Sequence, residues 1–395
     1  MNPFGTAAVF SPTQLGPLTL RNRVVKAATF EGMTPGGVPS DRLIDFHRRF
    51  AAGGVGMTTL AYCSVSRDGL AFRDQIWLRP EVVPALRRLT DAVHREGALA
   101  AVQLGHGGLM ATRKAAGRTP IAPSRVFSSY ALSFTRPMRE ADFDRLLRDY
   151  SRAARLAVEA GFDALEVHVG HGYLLSQFLS PFTNRRTDQW GGSLENRARF
   201  PRKALRAIRD EVGSEVAVYA KLNMADGFRR GLQPEEGVEV ARMLESDGSV
   251  DALQLTGGFT SRTPMYLMRG DVPIREFVET EKDPIRRLGL RLFAKKVIRP
   301  WPFEEAFFLP MARQVRAAVR LPLMLLGGIT RLDTMELAMN EGFEFVAMAR
   351  ALLREPDLMR KFQMGQSHQA LCIPCNKCVT EMNRNGTRCV FVPED

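Results

Sequence analysis

The stretch HVGHGYLLSQFLSPFTNRRTDQWGGSLENRARF, residues 168–200, sets His168 and His171 three residues apart and Tyr173 two residues further on. It begins where an apolar run, ALEVHVG (164–170), gives way to a polar, arginine-rich loop. Three polar rings serve a buried apolar core poorly. Two imidazoles can donate hydrogen bonds to a substrate oxygen, bind a metal or move a proton, and a phenol is a weak acid. A metal would need more ligands than one H-x-x-H pair provides, and the neighbouring residues offer no convincing set. The structural alternative is a satisfied histidine pair.

Such rings need rigid elements to hold them. Eight short Val/Leu/Ala-rich runs are bounded by glycine or polar turns: 24–29, 55–63, 98–105, 164–170, 216–223, 252–258, 322–328 and 343–350. Helical patterns lie between them, from Ser40 to Gly53 and over about 81–96, 143–160, 193–212, 234–247, 304–320 and 331–341, with caps expected at Ser40, Ser193 and Thr330. Eight strands, each followed by a helix, predict an α/β fold of the (β/α)₈ TIM-barrel type; a doubly wound sheet is the alternative. The barrel is expected over 1–363, with a Cys-containing tail over 364–395. A hairpin at 15–23 precedes strand one and would plug the barrel bottom. Insertions at 106–142 and 259–303, after strands three and six, fall on the face where barrels build active sites. They suit a lid, a substrate cap, a structural subdomain or an interface.

Side chains alternate along a strand. That places Leu165, Val167 and Val169 against the helices and turns Glu166 and His168 inward. By the same count Gln103, Tyr219, Lys221, Asn223, Gln254 and Thr256 point inward. An unpaired buried neutral polar group costs about 1–3 kcal/mol, and a charge costs more. So Gln103, His168, Lys221 and Gln254 require either one another or a polar ligand. Gln103 suits a pyrimidine-like edge and Lys221 offers positive charge. Strands seven and eight end in Gly327-Gly328 and Ala349-Arg350, where barrels commonly hold a phosphate. A heteroaromatic head with a phosphate at strands seven and eight describes FMN.

H-x-x-H-G-Y-L followed by L-S-P-F-T-N-R-R-T-D-x-W-G-G-S-L-E-N-R-x-R-F closely resembles the signature of the old yellow enzyme family. From about Phe10 to Pro356 the chain is similar to that family, including LRNRVVKAAT, AVQLGHGG, LLGGIT and AMARALLREP. The resemblance implies a barrel with non-covalent FMN and ping-pong reduction of an activated alkene, with NADH or NADPH giving hydride to the flavin. It implies that His168 and His171 bind the activating oxygen of an α,β-unsaturated substrate and that Tyr173 donates the proton. It assigns Ala28, Thr29, Tyr62, Gln103 and Lys221 to the flavin ring, and Gly327, Gly328, Ala349 and Arg350 to its phosphate. Lys221 stands where arginine is usual, and Phe30 stands where a Cys or Thr can tune the flavin.

Cys372, Cys375, Cys378 and Cys389 form C-x-x-C-x-x-C with a fourth cysteine further on. That spacing suits an iron–sulfur cluster or zinc, although reduced, unligated cysteines are the expectation. Relatives that reduce 2,4-dienoyl-CoA carry a similar cluster start, one residue longer at the second spacing. The 395-residue chain carries +12 formal charge, with its basic residues spread. This permits an RNA-modifying FMN barrel, against which the H-x-x-H-G-Y motif argues, and no nucleic-acid partner is expected. An inactive scaffold barrel is the reading from another class. With no secretory signal and no bilayer-spanning run, the expectation is a cytoplasmic protein, free to form a homo-oligomer.

Overall fold

Eight parallel strands close into a barrel in chain order: Val24–Lys26, Met57–Ser64, Leu99–Gly105, Ala164–Val169, Ala217–Asn223, Ala252–Thr256, Leu323–Leu326 and Phe345–Met348. This is a (β/α)₈ TIM barrel, seen here in a computed structural model that describes residues 7–382 and 384–393. Val102, Leu104, Leu165, Val167, Val218, Ala220 and Leu222 pack outward into the core shared with the helices. Small residues such as Ala101, Ala164, Ala217 and Ala252 fill the barrel axis with Tyr219, Met324 and Phe345. The strands are buried on both faces, which explains their near-continuous apolar character.

The hairpin pairs Thr13–Leu15 with Leu18–Leu20, slightly ahead of its expected position. Leu15 and Leu20 join the axial cluster and close the barrel bottom. Local signals set two of the expected helix starts. Ser40 accepts from Leu43 N ahead of the helix Asp41–Ala52, and Ser193 accepts from Asn196 N ahead of Leu194–Val212. Thr330 is not a cap. The last long helix runs Leu332–Asn340 with Arg331 at its N-cap, while Thr330 donates its hydroxyl to Glu305 Oε2 at 2.8 Å. The expected helix over 304–320 is shorter, Leu309–Ala318, because residues 304–308 pack under Gly327 and Gly328 instead.

The first insertion holds a hairpin, Phe127–Ser128 with Ser133–Phe134. The second carries three helices, Pro264–Leu267, Ile274–Thr280 and Pro284–Val297. The tail runs back over the mouth side of the barrel. Asn376 Nδ2 donates to the carbonyls of Met268 (2.6 Å) and Asp271 (2.9 Å), and Thr387 Oγ1 donates to Phe30 O (2.6 Å). The tail thus bridges the second insertion and the loop after strand one.

Candidate active site

Strand register decides which inward groups meet. Glu166 lies opposite Gln103 on one side and Tyr219 on the other, and His168 lies opposite Lys221. Glu166, fully buried, is the shared acceptor: Lys221 Nζ is 2.8 Å from Oε1, Gln254 Nε2 donates to Oε2 at 3.0 Å, and Gln103 Nε2 also donates to Oε1. The inward polar set therefore finds an internal partner. The sequence placed Glu166 on the inner face but did not single it out as that partner. One carboxylate neutralises the lysine, as a buried cation requires.

A second buried group went unnoticed in the sequence. Lys26 Nζ lies 3.5 Å from Glu31 and donates to Thr29 Oγ1 at 3.0 Å, and His47 Nε2 lies 3.4 Å from the same carboxylate. Lys26 also stands over the Phe46 ring at 5.1 Å. A lysine in an apolar strand with a glutamate five residues later was the available signal.

The chain leaves strand four through His171, whose φ of 58° holds a left-handed turn beside Gly172 at 78°. Gly172 is required there, since a Cβ would come within 2.6 Å of the Phe259 ring. This turn folds the three rings together. His168 and His171 centroids are 5.0 Å apart at 83°, and His168 and Tyr173 are 4.6 Å apart at 34°. Asn223 Oδ1 accepts from His171 N at 3.1 Å, and Thr256 Oγ1 lies 2.8 Å from His171 Nε2. If Thr256 donates to Nε2, the other ring nitrogen carries the proton and is the donor. His168 Nδ1 is buried with no hydrogen-bond partner among the described residues.

Burial, then the positive charge of Lys221, lowers His171 to about 3. Burial, then His171 and Lys221, holds His168 well below the usual histidine range. Burial keeps Tyr173 protonated far above neutrality. The site thus presents two neutral imidazoles and a phenol. The sign of the pH effect follows. Each folded histidine has a pKa below its unfolded value near 6.5, so the unfolded chain binds more protons between pH 6.5 and 3. Stability is expected to fall across that window on acidification, and His171→Asn should flatten part of the fall. Urea midpoints at pH 7, 5 and 4 check this; identical pH slopes for both proteins would reject it.

The expected flavin-side residues are distributed as follows. Ala28, Thr29 and Phe30 come to partial exposure where strand one ends, as do Gly328, Ala349 and Arg350 at strands seven and eight. Phe30 stacks on Phe72 at 4.5 Å. Tyr62 donates its hydroxyl to Gly69 O at 2.8 Å, so it offers the mouth only its ring, 4.9 Å from that of Tyr173. Gly327 and Gly328 have φ of 110° and 76°. A Cβ at Gly327 would strike Phe308 and one at Gly328 would strike Glu304 O, which gives this pair a packing reason of its own. Arg350 Nη1 donates to Arg269 O at 2.9 Å and to Asn376 Oδ1.

Arg350 also lies on the wall of a small cavity lined by all four tail cysteines, Cys372, Cys375, Cys378 and Cys389. Among the described residues no group of side chains is set to hold a single metal ion. Burial pushes Cys372 up to about 11 and Cys378 up to about 12, so neither is a ready thiolate nucleophile by itself.

The sequence profile of the NADH:flavin oxidoreductase / NADH oxidase family matches residues 8–255. This chain belongs to the old yellow enzyme family. Within the family it is 52% identical, over 98% of this chain and 95% of the relative, to 4,4'-dithiodibutanoate disulfide reductase of Rhodococcus erythropolis. It is 32% identical over 93% of its length to a metal reductase of Desulforamulus reducens, but spans only 51% of that protein. The old yellow enzyme homologue from Zymomonas mobilis superposes with a TM-score of 0.72 at 25% identity, covering 93% of this chain and 96% of that one. A 2-naphthoyl-CoA reductase in complex with 2-naphthoyl-CoA gives 0.80 at 25% identity, covering 96% of this chain and 56% of that one. Old yellow enzyme membership makes the protein an oxidoreductase and a flavoprotein, with FMN and a nicotinamide as the implied redox pair. No helix among the described residues is long and apolar enough to cross a membrane.

Proposed function

We propose that the protein passes two electrons from NADH or NADPH, by way of FMN, to an activated alkene. The observation that carries this reading is the neutral His168–His171 pair set beside protonated Tyr173 at the barrel mouth. The unpartnered His168 Nδ1 and the partly exposed strand ends at Ala28, Thr29, Gly328 and Ala349 fit a bound flavin and acceptor. FMN would supply a two-electron store that a nicotinamide fills and an acceptor empties. Gln103 would meet its pyrimidine edge. Lys221 would supply positive charge there as a point rather than a fork, partly offset by Glu166. Gly327, Gly328, Ala349 and Arg350 would take the phosphate. His168 and His171 donate to the acceptor's oxygen and stabilise negative charge that develops on it. Tyr173 delivers the proton to carbon.

The 52% identity over nearly the whole length of a disulfide reductase favours a second acceptor, an organic disulfide. There the same imidazole donors would stabilise the departing thiolate. The tail cavity supports a further cofactor. Four cysteines lining one hollow have the residue types that an iron–sulfur cluster or zinc uses. Five free cysteines fit a reducing compartment such as the cytoplasm.

An absorption spectrum of freshly purified protein, with iron and sulfide analysis, tests both parts. Flavin bands that bleach with NADH or NADPH and return with cyclohexenone or 4,4'-dithiodibutanoate are expected. A flavin-reconstituted protein that no nicotinamide bleaches would end the oxidoreductase reading. Iron-free protein with normal flavin would end the cluster reading alone.

A further inference from the structure

The loops after strands four and five frame a cleft of about 560 Å³ lined by Phe182, Arg185, Arg229, Arg230, Gln233 and Glu236. Its charge is one-sided. The Glu236 carboxylate is already engaged, one oxygen by Arg197 and the other by Gln233 N at 3.1 Å. Asp226, behind the loop, is buried and held by Asn223 Nδ2 (2.9 Å) and Leu232 N (2.8 Å). Arg185 uses its Nε on Phe182 O at 3.2 Å, and Arg262 stands over the Phe182 and Phe228 rings at 4.5 and 4.9 Å. Among the described residues no carboxylate lies within ion-pair distance of Arg185, Arg229, Arg230 or Arg262. Three exposed guanidiniums, Arg185, Arg229 and Arg230, line the cleft with Arg262 over its Phe182 ring, and their planar forks match a carboxylate or phosphate.

A packed aromatic cluster links this rim to the three site rings. Phe182 and Phe228 are 5.4 Å apart, and Phe228 and Phe259 are 5.9 Å apart. Phe259 lies under Gly172 and bridges His171. Tyr173, Phe182 and Phe228 all pack on the apolar cluster that contains Phe259. Basic rim, aromatic floor and imidazole pair follow one another.

We propose that this cleft binds the carboxylate of the acceptor, whose aliphatic chain runs over the partly exposed rings of Phe182 and Phe228 toward a reducible group at His168 and His171. The proposal rests on the acceptor reading above and deepens it to anionic substrates with an apolar spacer. The phosphates of the nicotinamide donor share the required chemistry and are the competing source.

The test uses purified holoenzyme and the variant Arg229→Gln/Arg230→Gln, with 4,4'-dithiodibutanoate and its dimethyl ester as probes. Calorimetric titration without nicotinamide should show the dicarboxylate binding at least about tenfold more weakly to the variant, the effect of losing one or two charged hydrogen bonds. The ester should bind both proteins alike. In turnover, KM for the dicarboxylate should rise while kcat and the KM for NADH stay within about twofold, and added salt should weaken dicarboxylate binding more than ester binding. A rise in the KM for NADH with unchanged dicarboxylate binding would assign the cleft to the donor's phosphates. Equal losses for acid and ester, or no dicarboxylate binding to the wild type, would also overturn the proposal. Failure of the oxidoreductase reading shows separately, as a flavin that NADH does not bleach.

Discussion

Tyr173→Phe is expected to slow reduction of cyclohexenone by about 10²–10⁴-fold, the usual contribution of a positioned proton donor. Reduction of the flavin by nicotinamide should change little, because that step needs no proton from Tyr173. The phenol stays protonated well above neutrality through burial, so it is available as an acid at every ordinary assay pH. The same variant should distinguish the two acceptors. Carbon must receive a proton as the alkene is reduced. A thiolate can leave unprotonated near neutral pH, since a thiol's pKa is about 8.5. Disulfide reduction by Tyr173→Phe should therefore stay within about tenfold of wild type. Stopped-flow measurement of both half-reactions checks this. Unimpaired enone reduction would remove Tyr173 from the mechanism, and equal losses with both acceptors would point to a positioning role instead.

Glu166→Ala is expected to lower stability by about 3–5 kcal/mol, because it leaves Lys221 charged, buried and unpaired. Lys221 is 3% exposed at its side chain, and Glu166 at 0% is its ion-pair partner at 2.8 Å. Gln103 and Gln254 lose the same acceptor. Removing both charges in Glu166→Ala/Lys221→Met should recover a large part of the loss, since no buried ion then remains. Urea unfolding of the wild type, Glu166→Ala, Lys221→Met and the double variant forms a double-mutant cycle. A loss below about 1 kcal/mol in the single variant, or additive losses in the double, would show that the pair does not hold this layer together.

The residues that report the fold act locally, which is why they were legible. Period-two alternation alone puts Gln103, Glu166, His168, Tyr219 and Lys221 inside the barrel, and side-chain direction in a strand depends only on the pleat. Ser40 and Ser193 cap helices because each reaches an amide three residues on. Thr330 shows the limit of that reasoning. Glu305, distant in sequence, takes both its amide and its hydroxyl and leaves Arg331 at the cap. The H-x-x-H-G-Y string fixes the types and spacing of the three site rings, and it carried the family resemblance.

Only the tertiary structure decided which partners those groups meet. Glu166 serves Gln103, Lys221 and Gln254 because strand register brings residues 63 and 88 positions apart into one layer. The buried Lys26–Glu31–His47 group forms where a helix packs on strands one and two. The tail cysteines meet Arg350 because the tail folds back over the mouth. Arg185, Arg229 and Arg230 line one cleft, with Arg262 over its Phe182 ring, because loops after strands four, five and six converge at one end of a closed barrel. Each of these outcomes depends on register, closure and the path of an insertion. Those are properties of the packed chain, and no local pattern of residues encodes them.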